Sequence, residues 1–209
     1  MIELPSLRMS ALILMPTYAI LGGGVKYIDD AFDEPVFNKK IAYVLSVVCG
    51  ILMGWIMIHD VPSRAIFIAM NMGLVFTKKI DVLPFKIGLG LSFGLPIINA
   101  LMTGDWHVDL ILCGLLMVGG TADELANDYV DKHNVNIVAY NFFRWRCVMK
   151  VAVLAAAWLG WVTWIHFLAF LCFDVAYASV QVWSLKLKPR LMKRAAEINA
   201  GPDGKQTCT

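Results

Sequence analysis

Long apolar runs dominate this sequence and restrict the folds that it can adopt. A helix needs about 20 mostly apolar residues to cross the hydrocarbon core of a bilayer, and several runs approach that length with hardly a charged residue. The last run, 147–184, is long enough for two helices and is interrupted at Gly160, Thr163 and His166. We therefore predict an all-α integral membrane protein, a bundle of about seven transmembrane helices, near residues 10–25, 41–58, 63–77, 85–103, 108–121, 147–164 and 166–184.

Composition agrees with one membrane domain, predicted for residues 1–190, followed by a cytoplasmic tail at 191–209. Apolar residues make up 59% of the chain, whereas soluble domains average about 45–50%. The five cysteines are scattered and form no C-x-x-C pair, which argues against a disulfide framework or a zinc site. Because the chain is so apolar, its partners should include membrane lipids. Nothing in the sequence predicts binding to nucleic acid.

The positive charges predict how the chain is oriented in the membrane. Of the 18 Lys and Arg residues, sixteen fall in alternate connections on one side of the predicted bundle, and only Arg8 and Arg64 fall on the other. Cytoplasmic connections carry the excess of Lys and Arg in membrane proteins. We expect the N-terminus outside and the C-terminus in the cytoplasm.

Two acidic clusters lie at the predicted cytoplasmic side, each at the end of an apolar run. Residues 29–34 read DDAFDE, and residues 127–132 read NDYVDK. Aligned without gaps, Asp30 matches Asp128 and Asp33 matches Asp131, each pair 98 residues apart. Matched clusters at a fixed separation indicate an internal pseudo-repeat, although a charged run at a membrane edge can also be an ordinary solvated loop.

Spacing within the clusters predicts a metal site. Carboxylates three or four residues apart share one face of a helix and repel each other, unless a cation lies between them. Oxygen ligands of this kind suit Mg²⁺, which binds a few carboxylates and keeps other positions for water and phosphate. The predicted metal ligands are Asp29, Asp30, Asp33, Glu124, Asn127, Asp128 and Asp131. Among them Asp29, Asp30, Asp33, Asp128 and Asp131 are also the predicted catalytic residues.

Two such clusters facing each other would clamp a diphosphate, and the apolar bundle would hold a hydrocarbon chain. The basic residues available to neutralise the leaving diphosphate are Lys26, Lys132, Arg144 and Arg146, although the two arginines could equally anchor the chain among lipid headgroups. Asp174 interrupts the last apolar run. It is predicted either to line the substrate cavity or to join a polar network inside the bundle.

The two clusters and their placement resemble the UbiA superfamily of intramembrane prenyltransferases. That family carries an N-D-x-x-D-x-x-x-D motif and a second aspartate-rich motif on the cytoplasmic side. This chain looks like that plan with the first helix missing and the C-terminal end shortened. It departs from the motifs at Asp29, where the family has Asn, and at Phe37 and Val135, which stand in the positions of the third Asp.

The resemblance implies a Mg²⁺-dependent enzyme that transfers the prenyl group of an isoprenyl diphosphate to a lipid-soluble acceptor. A membrane-bound terpene cyclase of the same fold is the nearest alternative. A divalent-cation or proton-coupled transporter is an alternative from another class, although transporters usually bind their ions near the middle of the bilayer. A structural membrane protein without chemistry is the remaining alternative.

Overall fold

The computed structural model describes residues 10–33, 36–77, 82–105, 107–133, 136–144 and 147–199. Within these ranges every regular element is a helix, which confirms the all-α prediction. The helices are α1 (Ala11–Asp33), α2 (Lys39–His59), α3 (Val61–Phe76), α4 (Leu83–Thr103), α5 (Leu110–Lys132), α6 (Ile137–Arg144), α7 (Cys147–Trp158) and α8 (Trp164–Asn199).

Five of these helices are long and apolar enough to cross a membrane, namely α1, α2, α4, α5 and α8. Helices α3 and α7 are apolar but shorter, with 16 and 12 residues. At 1.5 Å per residue they measure about 24 Å and about 18 Å, against a hydrocarbon core of about 30 Å. Within the described residues, five helices rather than seven therefore meet the length for a full crossing.

The boundary between α7 and α8 lies inside the predicted interruption of the last run. Helix α7 ends at Trp158 and α8 begins at Trp164. Between them Gly160 adopts a φ of 76°, a left-handed conformation that glycine reaches without steric cost.

At its other end α8 continues much further than the predicted 184, to Asn199. The predicted tail is therefore helical over 191–199, because its Lys, Arg, Leu and Ala residues favour helix. The last ten residues lie outside the described ranges.

Helices α1 and α8 pack closely against each other. A Cβ atom added to Gly22 would collide with the backbone of Phe173 on α8. Helices in a membrane associate through close packing of small residues, because lipid provides little hydrophobic drive between them. Gly22 is therefore required for the approach of α8 to α1.

Gly22→Ala should destabilise the bundle by about 1–3 kcal/mol, the usual cost of overpacking. The measurement is thermal unfolding of the purified chain in detergent. Gly23→Ala is the matched control, because its added Cβ would meet Val180 Cγ2 at 3.6 Å, an ordinary contact. Equal unfolding temperatures for the two variants would contradict the assignment of this contact to Gly22.

A buried polar network fixes the end of the bundle at which α2 meets α3. Asp60 caps α3 by accepting a hydrogen bond from the Ser63 amide at 2.9 Å, and His166 Nε2 lies 2.9 Å from the same carboxylate oxygen. The Tyr18 hydroxyl donates to Ser63 Oγ at 2.8 Å. Burial opposes ionisation of Asp60, yet the hydrogen bond and charge of His166 and the bonds from Ser63 lower its pKa. The network ties α1, α3 and α8 together.

Candidate active site

One cavity of about 120 Å³ lies where α1, α3, α4, α5, α7 and α8 meet. Four carboxyl side chains line it, from α1, α5 and α8. Much of the remaining wall is apolar and aromatic, including Phe85, Phe170, Phe173 and Tyr177. The four acidic residues are Asp29, Asp123, Glu124 and Asp174. A cavity that combines carboxylates with aromatic rings is suited to a ligand with a charged head and an apolar body.

A buried lysine organises the acidic residues of α1. Lys26 Nζ lies 2.7 Å from Asp29 Oδ2 and 2.9 Å from Asp30 Oδ1. The three residues are at positions i, i+3 and i+4, so they share one face of α1. The same ammonium lies 5.3 Å from the centre of the Tyr177 ring on α8, within the range of a cation–π contact. Lys26 therefore neutralises part of the acidic wall and links it to α8.

Asp30 has an oxygen that the surrounding protein does not use. Its side chain is 8% exposed, and Oδ2 is buried with no hydrogen-bond partner among the described residues. A buried polar atom without a partner is costly. The first acidic cluster thus retains an open acceptor beside Lys26.

A second lysine–aspartate pair joins α7 to α8 at the cavity. Lys150 Nζ lies 2.8 Å from Asp174 Oδ2, and the two side chains are 19% and 28% exposed. In the sequence Lys150 is one of the sixteen basic residues on the predicted cytoplasmic side. Its pairing depends on two helices that pack together, so the sequence carries no local signal for it.

Asp123, in the same wall, has a structural role at the first turn of α7. Its carboxylate accepts hydrogen bonds from the amides of Val148 at 2.9 Å and Met149 at 2.6 Å, in the first turn of α7. A carboxylate is favourable there because the first amides of a helix have no partner within the helix. Asp123 was absent from the predicted site.

Only some of the predicted site residues lie at the cavity. Asp29, Glu124 and Asp174 line the cavity, and Lys26 and Asp30 adjoin it. Others lie outside its wall: Asp33 and Lys132 are exposed, and Asn127 and Asp128 are partly buried on α5. The side chains of Asp131 and Arg144, and the whole of Arg146, lie outside the described part of the chain.

Asp30 and Asp128, the aligned pair, are both absent from the wall. For Asp128 the reason is its position along α5. The face of α5 that lines the cavity contains Gly120, Asp123 and Glu124, at spacings of three and four. Residues one turn further along that face lie about 5.4 Å further along the helix axis. The aligned Asp128 therefore lies beyond the cavity wall, which on α5 contains Asp123 and the predicted ligand Glu124.

The donor chemistry fits Mg²⁺, although the present side-chain positions do not gather around one ion. In the described residues, no group of three or more His, Cys, Asp or Glu side chains is placed to hold a metal. The available donors are nevertheless all oxygens, and Asp30 Oδ2 is an open acceptor. Asp29, Asp30 and Glu124 are the residues that would hold the ion.

No protein-family model, no curated protein and no solved structure matches this chain. The likeness to the UbiA superfamily therefore stays a prediction from the two acidic motifs.

Proposed function

We propose that this chain is a Mg²⁺-dependent intramembrane prenyltransferase that ionises an isoprenyl diphosphate and transfers the prenyl group to a lipid-soluble acceptor. The observation that carries the proposal is the cavity lined by Asp29, Glu124, Asp174 and aromatic rings. Five carboxyl groups, counting Asp30 and Asp123, adjoin or line this cavity, and two lysines pair with three of them. Carboxylate oxygens are the ligands that Mg²⁺ prefers in proteins, so this wall supports a metal-dependent reaction.

The residues have separate parts in the proposed reaction. Lys26 would contact the diphosphate oxygens, as an ammonium is a compact partner for phosphate. Bound Mg²⁺ would supply charge neutralisation for the diphosphate as it leaves. Phe170, Phe173 and Tyr177 would face the allylic cation and stabilise it by cation–π contact. These rings also exclude water, which would otherwise capture the cation.

The bond changes follow from the substrate. The allylic C–O bond breaks, and its electron pair leaves with the diphosphate. A nucleophilic atom of the acceptor then forms a bond to the allylic carbon, and the acceptor loses a proton to a base. In a terpene cyclase the nucleophile would instead be a double bond of the same molecule, and the resulting cation would lose a proton to a base.

The proposed arrangement in the membrane has seven crossings, made by all helices except α6, in a UbiA-like bundle. The N-terminus would lie outside and the C-terminus in the cytoplasm, so both acidic clusters would face the cytoplasm. The short helices α3 and α7 would reach the headgroups through their polar flanks or by local thinning of the bilayer.

Reporter fusions after residues 105 and 205 should report opposite sides of the membrane, because three crossings, those of α5, α7 and α8, would separate them. A cytoplasmic fluorescent reporter paired with a periplasmic or luminal enzyme reporter provides the readout. A fusion after residue 36 is the control and should match the fusion after residue 205. The same side for 105 and 205 would contradict the arrangement and the orientation together.

The activity test is release of diphosphate by the purified protein from a panel of isoprenyl diphosphates, with Mg²⁺ or with EDTA. The proposal predicts release that requires Mg²⁺ and a product that depends on an added lipid-soluble acceptor. Release without an acceptor, with a cyclic product, would indicate the cyclase. No release from any substrate, together with cation flux into vesicles that contain the protein, would indicate the transporter.

A further inference from the structure

Lys150 is a basic residue near the cavity to which the sequence assigned no role at the site. It lies in the first turns of α7 and pairs with Asp174 of α8 at 2.8 Å. Asp174 forms part of the cavity wall, so the ammonium lies beside the space in which a substrate would bind. The pair is mostly removed from solvent, and charges interact more strongly there than in water.

Asp123 sets the position of this ammonium. It binds the amides of Val148 and Met149, the two residues immediately before Lys150. Asp123 is 1% exposed and lies on α5, so α7 is fixed to α5 at the turn that carries Lys150. The lysine is therefore held beside the cavity from one side by the backbone and from the other by Asp174.

We propose that Lys150 is a phosphate-binding residue and that Asp174 is its internal competitor, which holds the ammonium until the diphosphate displaces it. This inference rests on the proposed function and identifies how the same site receives its substrate. A diphosphate offers several oxygens and more negative charge than one carboxylate, so it competes well for an ammonium. Asp174 thereby keeps Lys150 paired and oriented while the cavity holds no ligand.

A purely structural ion pair between α7 and α8 would behave differently. In that case each partner contributes only to the joining of the helices, and removing either one should weaken the protein to a similar degree. A competitor and a ligand-binding group have opposite effects on binding. Loss of Lys150 removes a contact with phosphate, whereas loss of the Asp174 charge removes the competitor and reduces repulsion of the anion.

The experiment measures binding of inorganic pyrophosphate with Mg²⁺ to the purified full-length chain, by isothermal titration calorimetry. Lys150→Gln should weaken binding by about tenfold or more, the value of a charge-assisted hydrogen bond. Lys150→Arg should stay within about threefold of the wild type because it keeps the charge. Asp174→Asn should bind pyrophosphate about threefold or more tightly than the wild type. Lys186→Gln, an exposed lysine on α8, is the matched control and should bind like the wild type.

Each outcome has a defined meaning. Weaker binding by Lys150→Gln with tighter binding by Asp174→Asn supports the inference, provided that both variants elute and unfold like the wild type. Should Lys150→Gln fail to fold, retained binding by Lys150→Arg and tighter binding by Asp174→Asn carry the test. Equal weakening in Lys150→Gln and Asp174→Asn, or none in either, overturns the inference and leaves the proposed function standing. A wild-type protein that binds no pyrophosphate overturns both.

Discussion

Replacing Asp29 by Asn should lower Mg²⁺-dependent diphosphate release by about a hundredfold or more, the usual cost of losing electrostatic stabilisation of a leaving group. Asp29 lines the cavity and holds Lys26 at 2.7 Å. The substitution keeps the size of the side chain and removes the charge that would hold the metal. Folding should survive, because Lys26 keeps its contact with Asp30 at 2.9 Å.

Asp33→Asn is the matched control for this experiment. Asp33 belongs to the same acidic cluster, one turn after Asp29, but its side chain is exposed and lies outside the cavity wall. It should keep most of the activity, with a change of about threefold or less expected for a surface charge. Equal loss in the two variants would favour the ligand set predicted from the motif over the one that the cavity defines. Full activity in Asp29→Asn would contradict the proposed site.

Apolar runs located every described helix except α6, because lipid-facing and buried helices both require apolar runs of a known length. They ended α1 and α5 too early, near 25 and 121 rather than at Asp33 and Lys132. The ends of α2 and α4 follow the predicted runs closely, and the break near Gly160 lies where small and polar residues interrupt the last run. The length of α8 was underestimated. Apolarity defines only the part within the membrane, whereas a helix can continue into water on its intrinsic propensity.

The cavity wall contains two of the predicted metal ligands, Asp29 and Glu124. The motif located the acidic ends of α1 and α5, but it could not say which residues of those ends face the cavity. That choice depends on how far along α5 the cavity extends, and the cavity reaches Glu124 but not Asp128, which lies one turn further along the same face. Contacts between residues distant in the sequence were also missed. Asp123 reaches the amide of Val148, and Lys150 reaches Asp174, and only tertiary packing joins them.

Lys26→Met should lower the stability of the folded chain more than Gly22→Ala does. Lys26 is the common partner of Asp29 and Asp30, and its side chain is 10% exposed. Removing one member of a buried ion pair leaves the opposite charge without compensation, which typically costs about 3–5 kcal/mol. Here two carboxylates lose their ammonium at once. The measurement is the thermal unfolding temperature of the purified chain in EDTA, where the variant should unfold well below the wild type.

Adding Mg²⁺ should then raise the unfolding temperature of Lys26→Met more than that of the wild type. In the wild type the Lys26 ammonium contacts both carboxylates and competes with the metal. In the variant Asp29 Oδ2 and Asp30 Oδ1 lose that contact. They then become available to Mg²⁺ together with Asp30 Oδ2. A ligand that binds only the folded state stabilises it in proportion to its affinity. Lys40→Met, at an exposed position on α2, is the control and should respond to Mg²⁺ like the wild type. An equal response in all three proteins would show that these carboxylates do not bind the ion, and it would remove the metal from the proposed mechanism.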